Sequence, residues 1–143
     1  KLPLARELGA HHALRSDAAD VGAEVAKLTG GRGADFAFEV VGYSATLDLA
    51  LRSLRRGGTA VLVGNLAPQT EFPLQIVVTR ELSVLGSCGS AGEYPLCLEL
   101  IANGTISVDP LISAVAPLAE GDAWFRRLSA KGGGGLMKVI LQP

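Results

Sequence analysis

Apolar and polar residues follow two different periodicities along the chain, and these predict alternating strands and helices. Nearly continuous apolar runs occur at residues 36–41, 59–63 and 82–85, as is typical of strands covered on both faces. Residues 44–54, between the first two runs, carry apolar side chains at helical spacing. Strands that alternate with helices predict an α/β domain with a mostly parallel sheet.

The same criteria assign most of the remaining chain. The sequence opens at Lys1 inside a helix that stops at Gly9, without an initiator Met, which leads us to expect a longer natural sequence. A helix that Ser16 or Asp17 caps is expected to run to Leu28. The other predicted segments are a short strand at 11–14, an edge strand or short helix at 74–80, a helix at 94–103, an extended stretch at 106–115, a helix at 118–128, a loop at 132–135 and a strand at 137–141.

Composition narrows the class of protein. The 143 residues include 13 basic and 14 acidic side chains spread along the chain, so the sequence shows no electrostatic footprint for nucleic acid or an anionic membrane. The apolar runs end well before the ~20 residues that a membrane helix needs. Cys88 and Cys97 match neither a metal-ligand spacing nor a disulfide framework. These features predict a soluble protein of the reducing cytoplasm.

Four segments in order resemble a known family. They are residues 34–42, 57–64, 80–87 and 138–143, and they resemble the cofactor-domain half of the medium-chain dehydrogenase/reductase superfamily, in particular its zinc-dependent alcohol, polyol and threonine dehydrogenases. The resemblance implies a partial doubly wound parallel sheet, Rossmann-like, that lacks its first two strands. It also implies a partial dinucleotide-binding domain at 1–103 and a C-terminal segment at 104–143 that in relatives packs back on the catalytic domain.

The resemblance also implies where a nicotinamide cofactor would bind. Open α/β sheets bind ligands in the crevice at the carboxyl ends of their strands, and the matching positions follow three predicted strands. Val40, Val41 and Tyr43 correspond to residues beside the nicotinamide ribose and one ring face, Val63, Gly64 and Asn65 to the border of the carboxamide, Leu85, Gly86 and Ser87 to a third wall, and Lys138 to a contact of the pyrophosphate.

Other expected parts of such an enzyme have no counterpart in the sequence. The Gly-x-Gly-x-x-Gly turn and the acidic residue that selects NAD over NADP would precede Lys1, so both cofactors stay open. Zinc is expected only in the N-terminal domain of the relatives, and we assign no catalytic residue and no metal ligand here. The neighbours His11 and His12 would point to opposite faces of a strand and could not chelate one ion.

Glu39 is the one charged residue inside a predicted buried strand. It could be a catalytic carboxylate, or a structural acid that main-chain donors or a nearby base satisfy. The sequence favours the second alternative.

Three functions are compatible with these observations. The first is the cofactor-binding portion of a zinc- and NAD(P)-dependent dehydrogenase acting on a small-molecule alcohol or polyol. The runner-up is a portion of a zinc-free quinone or enoyl reductase. The third is a non-catalytic binding or assembly module, since a sheet without its first strands has an exposed edge. In relatives the stretches matching 72–74 and 82–85 lie near the dimer contact, which predicts a homo-oligomer.

Overall fold

The computed structural model describes residues 1–17, 20–130 and 135–143, so most of the predicted 132–135 loop lies outside the described residues. The chain divides into two compact units, one of Leu14–Gly89 and one of Lys1–Ala13 with Ser90–Pro143. In chain order the elements are α1 (Leu2–Glu7), α2 (Val21–Leu28), β1 (Ala34–Glu39), α3 (Ser44–Ser53), β2 (Leu54–Leu62), α4 (Leu74–Thr79), β3 (Ser83–Gly86), α5 (Tyr94–Ala102), a 3-10 turn (Asp109–Leu111), β4 (Ile112–Pro117), a second 3-10 turn (Leu118–Glu120), α6 (Gly121–Ser129) and β5 (Lys138–Gln142).

The unit Leu14–Gly89 is built on a parallel sheet in the order β1-β2-β3. Glu39 of β1 pairs in register with Leu62 of β2, which pairs with Gly86 of β3. The three strands therefore end side by side at one edge of the sheet. The parallel, helix-connected sheet confirms the predicted Rossmann-like α/β class.

One face of this sheet carries the core of the unit. Leu51 and Leu54 are fully buried, and Leu47, Ala60 and Leu82 complete the cluster. Leu47 and Leu51 lie four residues apart on α3, so both point to the same side of the helix, toward the sheet. Because side chains alternate along a strand, the opposite face is left open, and Phe36 and Phe38 of β1 are 63% and 67% exposed there.

An ion-pair cluster fixes the amino-terminal end of the sheet. The Asp35 carboxylate of β1 accepts hydrogen bonds from Arg55 Nε of β2 at 2.6 Å and from Arg32 at 2.8 and 3.0 Å. The hydrogen bonds from Arg55 and then Arg32 hold the pKa of Asp35 below its ordinary value. Arg80 adds hydrogen bonds to the carbonyls of Arg52 and Leu54. These contacts lie at the opposite end of the strands from the predicted cofactor site.

The second unit contains a parallel pair of strands, β4 and β5, in which Val115 pairs with Ile140. Helix α6 begins at Gly121, the only residue of that helix that is buried. The Arg127 guanidinium lies 4.2 Å from the centre of the Trp124 ring on the same helix, a cation–π geometry. The predicted helices at the amino terminus and at 94–103 are both present.

Four details of the sequence-based assignment were wrong. Residues 11–14 are not a strand, because neither sheet of the described chain provides a partner for their backbone. The helix expected to start at Ser16 or Asp17 starts at Val21. The Asp17 carboxylate is engaged by Arg15 at 2.6 and 2.8 Å, and Asp20 caps the helix instead by accepting from Ala23 N at 2.8 Å.

The other two differences concern extended segments. Strand β2 starts at Leu54 rather than at residue 59, since its register shifts between the pairs Ala34–Leu54 and Phe36–Thr59 and leaves an irregular stretch from which Arg55 reaches Asp35. The stretch predicted as extended at 106–115 contains the 3-10 turn Asp109–Leu111, where Pro110 fixes a φ compatible with a helical turn.

Candidate functional site

The carboxyl ends of the three parallel strands are tied together by backbone hydrogen bonds. The carbonyl oxygen of Glu39 accepts from Val63 N at 2.8 Å and from Gly64 N at 2.9 Å, and Leu62 O accepts from Ser87 N at 2.9 Å. The chain leaving β2 is thereby held between the chains leaving β1 and β3. Because these bonds continue beyond the strands, the loops keep the spacing of the sheet.

Two glycines cross at the ends of β1 and β2 with their backbones in contact. Gly42 has a φ of +90°, and a Cβ placed on it would lie 2.5 Å from Asn65 N and 2.6 Å from the carbonyl carbon of Gly64. A Cβ on Gly64 would overlap the backbone of Val41 and Gly42 even more closely. Only glycine fits at either position, because a real Cβ does not approach backbone atoms this closely.

The Glu39 carboxylate holds the turn that carries Gly42. Its Oε1 accepts from Val41 N at 2.9 Å, Gly42 N at 3.0 Å and the Thr46 hydroxyl at 2.7 Å, and its Oε2 accepts from Gly42 N at 2.9 Å. The residue is only 5% exposed. Burial raises the pKa of Glu39, but the donors from Gly42, Thr46 and Val41 together outweigh it and hold that pKa below its ordinary value.

These contacts decide between the two interpretations of Glu39. The donors are main-chain N–H groups and one hydroxyl, and no basic side chain of the described residues is among them. An ionised carboxylate that accepts hydrogen bonds on both oxygens has no proton to donate and is held in one orientation. The geometry therefore favours a structural acid over a catalytic one.

The side chains at these strand ends present an apolar surface. Val40 is 66% exposed, Leu85 54%, Tyr43 50% and Val63 44%. The main chain between them is polar, so the surface combines apolar walls with backbone donors and acceptors. Apolar walls with a few polar groups between them are typical of small-molecule binding sites.

A cavity of about 190 Å³ opens between the ends of β1 and β2. It is smaller than the ~300–1,000 Å³ typical of complete ligand pockets, so it has room for only part of a dinucleotide. A groove of about 350 Å³ runs along β1 and shares Glu39, Val40 and Val41 with the site. The lining residues of the smaller cavity are Glu39, Gly42, Tyr43, Leu47, Leu62, Gly64, Asn65, Ala67 and Thr70.

The structure brings most of the predicted cofactor residues together. The residues that follow β1 and β2 surround the glycine crossing, and those at the end of β3 lie beside them, since Leu62 pairs with Gly86. Lys138 is exposed at the start of β5, in the other compact unit, and pairs there with Ile112. The roles of these residues toward a cofactor remain predictions.

Sequence reasoning missed Thr46. Its hydroxyl lies 2.7 Å from Glu39 Oε1 and 3.0 Å from the carbonyl oxygen of Tyr43. The available signal was a polar residue at the third position of a predicted helix, where side chains often reach back to the preceding turn. A polar residue at that position, together with an acid at the end of the preceding strand, indicates a hydrogen bond between the helix and the strand.

We found neither a metal-ligand cluster nor a membrane-spanning helix among residues 1–17, 20–130 and 135–143. No group of three or more His, Cys, Asp or Glu side chains is placed to hold a metal ion. No helix in this part of the chain has the length and apolar character needed to cross a membrane.

A parallel sheet flanked by helices, with a glycine crossing at its carboxyl edge, places the chain among the Rossmann-like α/β proteins. The family model described as zinc-binding dehydrogenase matches residues 1–103. The chain therefore belongs to the zinc-binding dehydrogenase family. This membership confirms the resemblance to the zinc-dependent branch of the medium-chain dehydrogenases.

Similar proteins bear dehydrogenase names. L-idonate 5-dehydrogenase of Vitis vinifera is 33% identical over 98% of this chain and 39% of its own length. Sorbitol dehydrogenase of Bacillus subtilis strain 168 is 33% identical over 100% of this chain and 40% of its own. A protein of Sinorhizobium meliloti 1021, solved bound to NADP, is 29% identical with a TM-score of 0.87, over 99% of this chain and 42% of its own. The chain thus spans about 40% of the length of these relatives.

Proposed function

We propose that this chain forms the nicotinamide-binding part of an NAD(P)-dependent dehydrogenase that transfers a hydride from a secondary alcohol, of the alcohol or polyol class. The observation that carries the proposal is the crossing of Gly42 and Gly64 beside exposed apolar side chains at the ends of neighbouring parallel strands. Membership of the zinc-binding dehydrogenase family supports it, as do relatives named for idonate and sorbitol.

The residues of the chain would bind and orient the cofactor. Val40, Val41 and Tyr43 would lie beside the nicotinamide ribose and one face of the ring, and Val63, Gly64 and Asn65 would border the carboxamide. The third wall is formed by Leu85, Gly86 and Ser87, whose main-chain groups would hydrogen-bond that carboxamide. Lys138 would pair with the pyrophosphate through a charge-assisted contact. When bound, the oxidised cofactor supplies the hydride acceptor at C4 of its nicotinamide.

Zinc does not fit this part of the protein, since no metal-ligand cluster lies among the described residues. We assign any catalytic zinc to a domain outside this chain and derive no step through it. NAD and NADP remain equally open. The segment 104–143 would pack on that same domain. We expect a cytoplasmic enzyme.

We also expect a homo-oligomer, which the exposed side chains of Phe72, Leu74 and Leu85 support. Light scattering that finds a monomer at high concentration would count against the oligomer.

The test is calorimetric titration of this chain with NADH and with NADPH. Val40 and Val78 offer a matched pair, because each is a valine that is 66% exposed, one at the candidate site and the other on α4. Val40→Ser should weaken binding several-fold by removing an apolar wall, and Val78→Ser should leave it unchanged. Equal affinities in the two variants would refute the placement of the nicotinamide, and no saturable binding by the folded chain would refute the function of the chain on its own.

A further inference from the structure

Glu39 is the residue at which the backbones leaving two strands converge. Its carbonyl oxygen accepts from Val63 N and Gly64 N of the β2 end, and its carboxylate accepts from Val41 N and Gly42 N of its own turn. One residue thus sets the position of both sides of the glycine crossing. Among the contacts described at this edge, no other residue binds one of the two chain segments through its main chain and the other through its side chain.

We propose that Glu39 is a positioning residue of the cofactor site, whose ionised carboxylate holds the turn at residues 40–43 in the geometry that receives the nicotinamide. The inference rests on the proposed function, and it concerns a residue that does not itself contact the cofactor. Val40, Val41 and Tyr43 lie on the held turn. The side chains of Val40 and Tyr43 are exposed and that of Val41 is half-buried, so their own packing contributes little. The hydrogen bonds of the buried acid hold the turn, together with the main-chain bonds from Leu66 N and Ala67 N to the carbonyls of Val41 and Gly42.

A carboxylate suits this position better than an uncharged group of the same shape. Both of its oxygens accept, and they face N–H donors of Val41 and Gly42. A glutamine would turn its amide N–H₂ toward one of these donors, since the amide has a single acceptor oxygen. At 5% exposure little water can replace the lost contact. The variant Glu39→Gln should therefore release part of the turn without changing the volume of the side chain.

Thr46 links the held turn to helix α3. Its hydroxyl is 2.7 Å from Glu39 Oε1 and 3.0 Å from the carbonyl oxygen of Tyr43, so it orients the carboxylate from the helix side. Removing this hydroxyl tests the same arrangement from a second residue. Thr46→Val removes the donor at nearly constant shape, and Thr46→Ser keeps it.

The experiment measures NADH and NADPH affinity by calorimetry together with hydrogen exchange at the Val41 and Gly42 amides. We expect Glu39→Gln to raise Kd about tenfold, as loss of a charge-assisted hydrogen bond would, and to speed exchange at both amides. Thr46→Val should act in the same direction, and Thr46→Ser should retain the wild-type affinity. Asp35→Asn is the control, because it removes an acid from the other end of the same strand and should leave Kd unchanged.

The outcomes separate this inference from the proposed function. If the wild-type chain binds cofactor and Glu39→Gln binds within about twofold of it, the positioning role is overturned and the proposed function stands. If the wild-type chain is folded and binds neither cofactor, both fail. Should Glu39→Gln not fold, Thr46→Val and Thr46→Ser decide, and equal affinities in these two variants overturn the inference.

Discussion

The glycine crossing makes a quantitative prediction, because the chain contains the controls needed to separate its two causes. Gly42 combines a φ of +90° with backbone atoms 2.5 Å from the position of a Cβ. Gly31 has a similar φ of +85° but nothing within 4 Å of such a Cβ. Gly64 is crowded by the backbone of Val41 and Gly42 without a φ in the left-handed region. Alanine at position 31 therefore tests backbone strain, alanine at position 64 tests crowding, and alanine at position 42 tests both.

The expected losses follow from these environments. A left-handed conformation costs a residue with a Cβ about 1–2 kcal/mol, and overpacking costs about 1–3 kcal/mol. Gly31→Ala should thus lose about 1–2 kcal/mol of unfolding free energy and Gly64→Ala about 1–3 kcal/mol. Gly42→Ala should lose about 2–5 kcal/mol, because both costs apply. The effect of alanine on the unfolded chain is common to all three variants and cancels in the comparison.

The assay must report on the unit that contains the crossing. Trp124 lies in the other compact unit, so its fluorescence is not suitable. Amide hydrogen exchange at Ala60, which is fully buried in β2, measures the opening free energy of the sheet itself. If Gly42→Ala loses no more than Gly31→Ala, the backbones do not meet as described and the reasoning about the crossing is wrong.

Three further predictions concern stability. The carboxylate of Glu39 has a folded-state pKa below its ordinary value of 4.5, so its contribution is complete above that pH and is lost as the pH falls through the folded-state pKa. A titration of unfolding free energy below about pH 5 should therefore fall less steeply for Glu39→Gln than for wild type, and parallel curves would contradict this. Asp35→Asn breaks the partly exposed ion pairs with Arg55 and Arg32 and should destabilise only slightly, with an effect that weakens in high salt; a salt-independent loss would show that these contacts are not chiefly electrostatic. Leu51→Ala should cost about 2–5 kcal/mol because the side chain is fully buried, whereas Leu66→Ala, at a residue 67% exposed, should change denaturant stability by less than about 0.5 kcal/mol; similar losses would place the core elsewhere.

The sheet is the part of the fold that could be predicted most fully. The apolar runs around residues 36–41, 59–63 and 82–85 correspond to strands, and such runs can be read locally. The expected cover on both faces was wrong for the described residues, because Phe36 and Phe38 of β1 are exposed on the face opposite the core. The prediction of a strand at 11–14 was wrong because it depended on a property that cannot be read locally. A strand depends on a partner for its hydrogen bonds, and the identity of that partner is not a local property.

The candidate site also has features that can be read locally and others that depend on distant partners. The positions of Gly42 and Gly64 at strand ends could be predicted from the order of the segments, and the resemblance supplied their expected neighbours. The close contact between them could not, because it depends on the register that pairs Glu39 with Leu62. The helix start at Val21 was likewise missed, since Asp17 is engaged by Arg15 and only the folded chain reveals which acid is free to cap.

By itself, the sequence determined the class of fold and the family, and it predicted the strand ends at which a cofactor would bind, because periodicity and short motifs act over neighbouring residues. The sequence only favoured a structural role for Glu39, and the tertiary structure decided between that role and a catalytic one. Whether a buried acid is catalytic or structural depends on which donors surround it, and all three donors to the Glu39 carboxylate come from the turn and helix that follow its strand. The register of the sheet then brings the β2 end to the same residue through its carbonyl oxygen.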